Sequence, residues 1–536
     1  MNKDREIPLR APLLYLLLGL ISGFVIANNE PAVSPIFPTI TGVVLTLLTF
    51  FFRSTNYVWL TIFLCACVST FWSYASIRLS HNSSEIFHDL PPREAKIIIE
   101  IERIFKSDGT YTSTSGIANV VKSPSHSRIY PNSLTYFSIQ APKNLEIKIR
   151  KGAQLEALGV LSTIKKESVE SFNNYLQNTG VYYRFEKSVV LRQIKPPASF
   201  ALFCERMNDR FLDYLRAGNR KQSTISNIYS AMLLGRKADL DKAQINRYQQ
   251  TGTMHFFAIS GLHVGVIATF LYHLLNLVRI PHNINPWIGL TILYLYVEIT
   301  GSSSSAVRAF LMVAFFWVSS ALSRQPNSLT ALINSAILVL LYEPQQLWNI
   351  GFQLSYTVVL SILVFGLPLK AILSKRLRPF TWLPKSSWRI RNHLSVWVID
   401  NLILLFSISL SAWLASAPLN AALFGFITPG AILLNMIIIN LASLVICTGV
   451  LSLVVGILLP IEICAFINNA AWLNLSVIDW FIQLCRGVPG TSLLTEGFSL
   501  KASYSILFCY FSVLFYYHHR KERVSKFFCL RVPQNR

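Results

Sequence analysis

Three polar residues interrupt an apolar run in Thr251-Gly-Thr-Met-His-Phe-Phe-Ala-Ile-Ser-Gly-Leu-His-Val-Gly265: His255, Ser260 and His263. Histidine titrates near neutral pH, and beside a serine it can activate a hydroxyl. Ser260 and His263 stand three apart, so a helix would bring them onto one face. Nucleophilic hydrolysis is therefore one chemistry the string allows, although no third residue or oxyanion donor can be named beside it. The other chemistry is a polar path. On a helix rising 1.5 Å per residue, His263 lies about 12 Å beyond His255. If the stretch opens a membrane span, that depth is costly for an ionisable group, which then faces a cavity or a pathway. The plainer alternative is a helix contact in which the His263 ring bonds a neighbouring carbonyl. Gly261 and Gly265 form a small-xxx-small pair that lets another backbone approach.

Further polar groups stand in later apolar runs. In Thr300-Gly-Ser-Ser-Ser-Ser-Ala-Val-Arg-Ala309, four serines break the run and Arg308 begins the next. Such an arginine needs a partner or water; it can attract phosphates into a pore or snorkel to the interface. Gln353 and Ser355, in Gly351-Phe-Gln-Leu-Ser355, can hydrogen-bond between helices, as can Asp400, Asn401, Asn420, Asn435 and Asn440. The eight cysteines form no CxxC pair and no Cys/His zinc spacing, and most lie in apolar runs, where a buried thiol is the default. No metal site, cofactor or disulfide framework is expected. No GxxxxGK[ST] loop is present, so any ATP-driven pulling falls to another protein.

What must hold these residues is a membrane protein. Hydrophobic residues make up 52% of the 536 and charged residues 14%, with a mean hydropathy of +0.44. Soluble domains carry about 25% charged residues. Apolar runs near the ~20 residues of a spanning helix recur throughout. They fall near 11–28, 34–52, 57–77, 254–279, 284–300, 305–322, 327–342, 349–366, 396–414, 430–459, 463–485 and 499–518. The first is read as a retained span rather than a cleaved leader. Run 430–459 is long for one crossing, which leaves the count of about 12 open there. Basic residues collect on the cytoplasmic side. Lys3, Arg5 and Arg10 place the N-terminus there, as do Lys370, Lys375, Arg376, Arg378, Lys385, Arg389 and Arg391 for their loop. The tail after 518, with Arg520, Lys521, Arg523, Lys526, Arg531 and Arg536, follows the same rule.

Residues 80–252 differ. They hold 25 lysines and arginines against 16 acids, a net of +9, and by the topology above they lie outside the cytoplasm. Strands are expected at Lys96–Phe105, Gly116–Val121, Leu134–Gln140, Leu145–Ile149, Gln154–Ile164 and Val181–Ile194. So many short strands suit a small barrel, an OB-type barrel being one candidate. Tyr130, Tyr136, Phe137, Tyr182, Tyr183 and Phe185 are interleaved with the charges. Basic grooves with aromatic platforms hold single strands of nucleic acid; a basic surface near anionic lipid over an aromatic core is the alternative. Candidate contacts are Lys148, Arg150, Lys151, Tyr182, Tyr183 and Arg184. Residues 198–250 read as amphipathic helix, lying on the membrane or packed against the barrel. The expected organisation is helices over 1–78, the β domain over 79–195, a helical connector over 196–253, a membrane channel domain over 254–518 and a basic tail over 519–536.

The string His255-Phe-Phe-Ala-Ile-Ser-Gly-Leu-His-Val-Gly265 resembles the hallmark of the ComEC competence family, the inner-membrane DNA channel of natural transformation. Leu233-Leu-Gly235, Gly301…Ser305-Ala-Val-Arg-Ala309, Gly351-Phe-Gln-Leu-Ser355 and Asn435 agree in order, and Phe172-Asn-Asn-Tyr-Leu…Gly180-Val181 resembles the end of the family's outer OB-like domain. The resemblance implies an outer domain that receives DNA and a helical channel that admits one strand while the other is degraded outside. The partners it implies are single-stranded DNA, membrane lipids, and a separate DNA receptor, nuclease and cytoplasmic motor. His255, Ser260, Gly261, His263, Gly265, Arg308, Gln353, Ser355, Asp400 and Asn435 are the expected path residues. The chain departs from the family at Arg236-Lys237, where Asp-Arg is common, and at Ser304 and Asn440, where prolines are expected; it also lacks a cysteine pair some members carry. It has no HxHxDH motif of the metallo-β-lactamase-like domain found in many members, so no nuclease activity is expected of it. A carrier for another polyanion and a membrane-embedded serine hydrolase are the competing readings.

Overall fold

A computed structural model describes residues 13–30, 33–52, 56–80, 91–107, 113–124, 133–140, 149–164, 172–218, 224–236, 240–257, 259–380, 384–486, 488, 490–495 and 497–529. The chain divides into two units, residues 1–213 with 271–353, and residues 214–270 with 354–536.

The first unit begins with α1 (Leu13–Asn29), α2 (Ile36–Phe51) and α3 (Asn56–Ser80). Close approach explains their small residues. A Cβ on Gly19 would lie 2.6 Å from the Cys67 Cβ, and one on Gly23 would lie 2.6 Å from the Val68 carbonyl oxygen. Cys67 is thus a packing thiol, and every described cysteine is free.

Five strands follow: β1 (Arg93–Ser107), β2 (Ser113–Lys122), β3 (Leu134–Gln140), β4 (Gln154–Thr163) and, after α4 (Phe172–Asn178), β5 (Val181–Lys195). They close into a barrel in the order β1-β2-β3-β5-β4, with β1 pairing β4 to shut it and β3 running parallel to β5. Alternation builds the core. Ile97, Ile99 and Ile101 of β1 point inward to meet Val120, Phe137, Ile139, Leu155, Tyr183 and Phe185. The expected strand over 145–149 falls almost wholly outside the described residues. Gly116 is required by the tight crossing of β1 and β2: a Cβ there would stand 2.0 Å from the Arg103 carbonyl oxygen.

α5 (Ser199–Arg216) holds to the barrel through Arg150 Nε and Glu205 Oε2, 3.1 Å apart. Its Asn208 amide donates to the Ile299 carbonyl at 2.9 Å. The unit continues with the end of α8 (Gly261–Leu277), α9 (Asn285–Ile299), α10 (Ser304–Ala321) and α11 (Ser328–Tyr342), and ends within α12 (Ile350–Ser361).

The second unit starts inside α5 and holds α6 (Thr224–Leu234), α7 (Lys242–Gln250), most of α8, α13 (Leu367–Arg376), α14 (Ile390–Phe424), α15 (Ala431–Leu458), α16 (Ile461–Arg486) and α17 (Leu500–Cys529). Within the amphipathic stretch expected over 198–250, α5 packs on the barrel through Glu205, whereas α6 has a different character. α6 is buried from Ile228 to Leu234, and Leu233 fills the space at Gly449 of α15, where a Cβ would meet its Cδ1 at 2.1 Å. Its apolar residues surround the helix rather than forming a stripe, which marks a core helix. Segment 431–458 is one continuous helix of 28 residues, about 42 Å at 1.5 Å per residue.

Every apolar run expected to span carries a helix. Among the described residues, six helical segments are long and apolar enough to cross a membrane: Val58–Arg78, Ser304–Ala321, Ile350–Arg376, Ile390–Phe424, Ala431–Leu458 and Ile461–Cys485. Leu13–Asn29, Ile36–Phe51, Gly261–Leu277 and Ser328–Tyr342 are shorter apolar helices.

Candidate functional site

The string 251–265 does not begin a helix at 254. α7 ends at Gln250, Gly252 takes a φ of +70°, Met254–Phe257 form a 3-10 turn, and α8 starts at Gly261. The turn is tied down from several sides. Thr251 and Thr253 hydroxyls lie 2.9 Å apart, and the Thr253 amide donates to the Tyr248 carbonyl at 2.8 Å. Phe257 stacks on Tyr248 with ring centroids 3.9 Å apart. Gly252 lies so close to the head of α15 that a Cβ would reach Thr428 Oγ1 at 2.6 Å.

His263 therefore sits in the first turn of α8, and the depth expected from a helix starting at 254 does not apply. Ser260 precedes the helix rather than sharing a helical face with His263. Its carbonyl accepts the Val264 amide at 3.2 Å, which makes it the N-cap. Its hydroxyl lies 2.9 Å from His263 Nδ1 and its backbone N–H donates to the same nitrogen at 3.3 Å. A backbone N–H can only donate, so Nδ1 is an acceptor and the neutral ring carries its proton on Nε2. His263 is fully buried, and the acceptor beside the rest of its ring is the Phe256 carbonyl. His255 is the reverse: its side chain is exposed and Nδ1 donates to the Gly252 carbonyl at 3.0 Å. Gly265 has nothing within 4 Å of a built Cβ, so the close approach expected there is absent among the described residues.

Elsewhere in the second unit, Asn435 lies in the second turn of α15 with its Oδ1 buried and without a partner among the described residues. Asp400 and Ser355 are half-buried on α14 and α12. Sequence reasoning missed two polar groups of α16. Asn468 is fully buried, its amide donating to the Tyr214 carbonyl at 2.8 Å while Tyr229 Oη reaches its Oδ1 at 3.4 Å. Asp479 accepts from Gln483 Nε2 at 2.7 Å and from Tyr248 Oη at 3.4 Å. Their spacing of eleven residues, three turns apart on one face, was the available signal.

In the first unit, Arg308 is 4% exposed and its Nη2 donates to the Gly351 carbonyl at 3.0 Å. The guanidinium thus ties α10 to the head of α12. Asn349 Oδ1 caps that head by accepting the Gly351 amide at 2.8 Å, and Gln353 Nε2 donates to the Leu347 carbonyl at 3.0 Å.

On the barrel, Tyr183 is corrected: it is fully buried in the core, where no base can stack on it. Lys148 and the side chain of Tyr182 lie outside the described residues, and Arg150 is taken up by Glu205. A different cluster forms on the outer face. Arg103, Ile117, Tyr136 and Arg184 are register partners in a row across β1, β2, β3 and β5. Arg184 lies over the Tyr136 ring, Cζ 5.6 Å from its centroid, and Arg103 over Phe105 at 5.3 Å. Phe172 of α4 meets Tyr136 edge-on at 5.4 Å and is 46% exposed. Arg184 also pairs with Glu186 at 2.9 Å. Arg103 and Phe105 escaped the sequence reading because a register shift between Ile101 and Arg103 turns the odd positions of β1 from the inside to the outside. Among the described residues no group of three or more His, Cys, Asp or Glu could hold a metal ion.

A family model described as "Competence protein" matches residues 232–521. ComE operon protein 3 of Bacillus subtilis is 27% identical over 219 residues, 40% of this chain and 28% of that protein. Recombination protein 2 of Haemophilus influenzae is 23% identical over 292 residues, 53% of this chain and 33% of that protein. An uncharacterized protein of Aquifex aeolicus is 28% identical over 283 residues, 52% of this chain and 60% of that protein. The matches thus span less than two thirds of each of these relatives. No solved structure matches the chain.

Proposed function

The chain belongs to the competence protein family, and on that premise we propose that it passes single-stranded DNA across the cytoplasmic membrane during natural transformation. The observation that carries this reading is the family's hallmark string, folded as a rigid turn held by Tyr248, Thr253 and Thr428 at the head of α8. In this reading both termini and loop 370–391 are cytoplasmic, about twelve helices span the membrane, and the barrel lies outside as an OB-like domain.

Each proposed path residue has a role in that reading. His255, exposed on its turn, meets the strand. Ser260, Gly261, His263 and Gly265 set the head of α8. Arg308 and Gln353 hold the head of α12 in the first unit, while Ser355, Asp400 and Asn435 offer polar groups within the second. The row Arg103–Tyr136–Arg184 with Phe105 and Phe172 is the proposed DNA contact of the barrel. Flat rings between guanidinium groups stack on bases of any sequence. The acting partners would be incoming DNA, lipids, and a separate receptor, nuclease and motor.

The test is uptake of labelled DNA into the cytoplasm of a strain lacking this chain, with and without its restoration. Uptake should vanish with the deletion and return with the gene. An Arg103→Gln, Tyr136→Ala double variant should lower uptake about tenfold, since each stacked base contributes about 1–3 kcal/mol. Normal uptake in the deletion strain would sink the reading. A second reading, serine hydrolysis, has the 2.9 Å contact of Ser260 with His263 in its favour. Against it, the same nitrogen receives the Ser260 amide, and no acidic side chain bonds the ring among the described residues.

A further inference from the structure

We propose that His263 is a positioning residue: its ring is the helix cap that fixes where α8 begins and locks the hallmark turn, and it neither carries protons nor touches the passing strand. The inference rests on the transport reading above and deepens it.

Helix starts leave backbone N–H groups without partners. One common solution is reciprocal: the side chain at the third helical position reaches back to accept the N–H of the N-cap residue. Glutamate and glutamine usually fill that position. Counted from the N-cap Ser260, the third position is His263, and its Nδ1 accepts the Ser260 N–H at 3.3 Å. The serine hydroxyl turns to the same nitrogen at 2.9 Å. The ring is fully buried, so a strand moving past cannot reach it. Its remaining proton, on Nε2, meets no carboxylate among the described residues; the group beside it is the Phe256 carbonyl, which cannot take the proton on.

The link also joins two segments. Upstream, the turn is tied to α7 through Phe257 on Tyr248 and to α15 through Gly252 on Thr428. Downstream, α8 runs on to Leu277. His263 is the side chain that fastens one to the other, and so sets the place of the exposed His255.

The experiment replaces His263 by asparagine, glutamine and alanine in a strain lacking the native copy, with membrane insertion checked by immunoblot. Asparagine places an oxygen acceptor close to the position of Nδ1, and cannot titrate. Uptake of labelled DNA should stay within about threefold of wild type in His263→Asn and fall about tenfold or more in His263→Ala, the pattern of a lost cap. The dependence of uptake on pH between about 5.5 and 8, where histidine titrates, should be unchanged in His263→Asn. If His263→Asn is as inactive as His263→Ala, or fails to insert, the inference is overturned. His263→Gln, which carries the side chain that usually makes this reciprocal cap, should likewise keep uptake within about threefold of wild type; a glutamine variant as inactive as His263→Ala would also overturn the inference. The parent reading fails separately, by normal uptake in the full deletion.

Discussion

On the barrel, Glu156 is buried and bonded by Lys96 Nζ at 3.1 Å and by Arg192 Nε. The three lie on β4, β1 and β5, so one carboxylate ties the closing strand to both neighbours. The hydrogen bond from Lys96, then that from Arg192, holds its titration below the ordinary carboxylate range. A carboxyl whose folded value is depressed adds stability above its unfolded value and loses it as pH falls through the folded one. Melting of the full chain in detergent should therefore show a barrel transition that drops as pH falls from neutral into the acid range. In Glu156→Gln that transition should start lower and change less; an identical slope in both proteins would show that the triad is not the source. At this scale the sequence was legible in part. His263 and Ser260 stood out by type and spacing, but their roles depended on where a helix began, and an apolar string containing glycines does not announce its first turn. Tyr183 was misread for a simpler reason: side chains along a strand alternate between two faces, and composition does not say which face is dry.

Elements were more legible than their partners. All the apolar runs became helices because each buries its own backbone bonds, whatever packs beside it. The strands other than 145–149 emerged within a few residues of their expected ends, since β-branched alternation and turn signals are local. The placement of α6 was hidden. Its burial depends on Gly449 of α15, more than two hundred residues away. The register shift in β1 was hidden likewise, being a pairing property. Closure of the barrel depends on Gly116, where β2 passes the Arg103 carbonyl. Gly116→Val should destabilise the barrel by about 1–3 kcal/mol, as overpacking does. The expected sign is faster cleavage within residues 93–195 by a protease added to the full chain in detergent, with the membrane helices intact. Unchanged cleavage would mean the strands can part there without cost.

For the whole molecule, charge is the quantity that composition states outright. A net of +22 on a chain with 14% charged residues leaves little acid to neutralise a polyanion's approach. Binding of a single-stranded oligonucleotide to the full chain in detergent should weaken steeply, by about tenfold or more, between 50 and 200 mM salt, because released counterions drive it. Weak dependence on salt would point to stacking alone.

The interleaving of the two units has a consequence for how the protein is made. The chain passes from one unit to the other at 213/214, back at 270/271 and over again at 353/354. Synthesis from the N-terminus delivers the barrel complete by Lys195, yet α6 then emerges more than 190 residues ahead of α15 and α16, against which it is buried. For that interval the ribosome has produced an apolar helix with no mate. The nascent chain must be shielded by the insertion machinery until its last third arrives, and a premature stop after α11 would leave an orphan for membrane proteases rather than a smaller working protein.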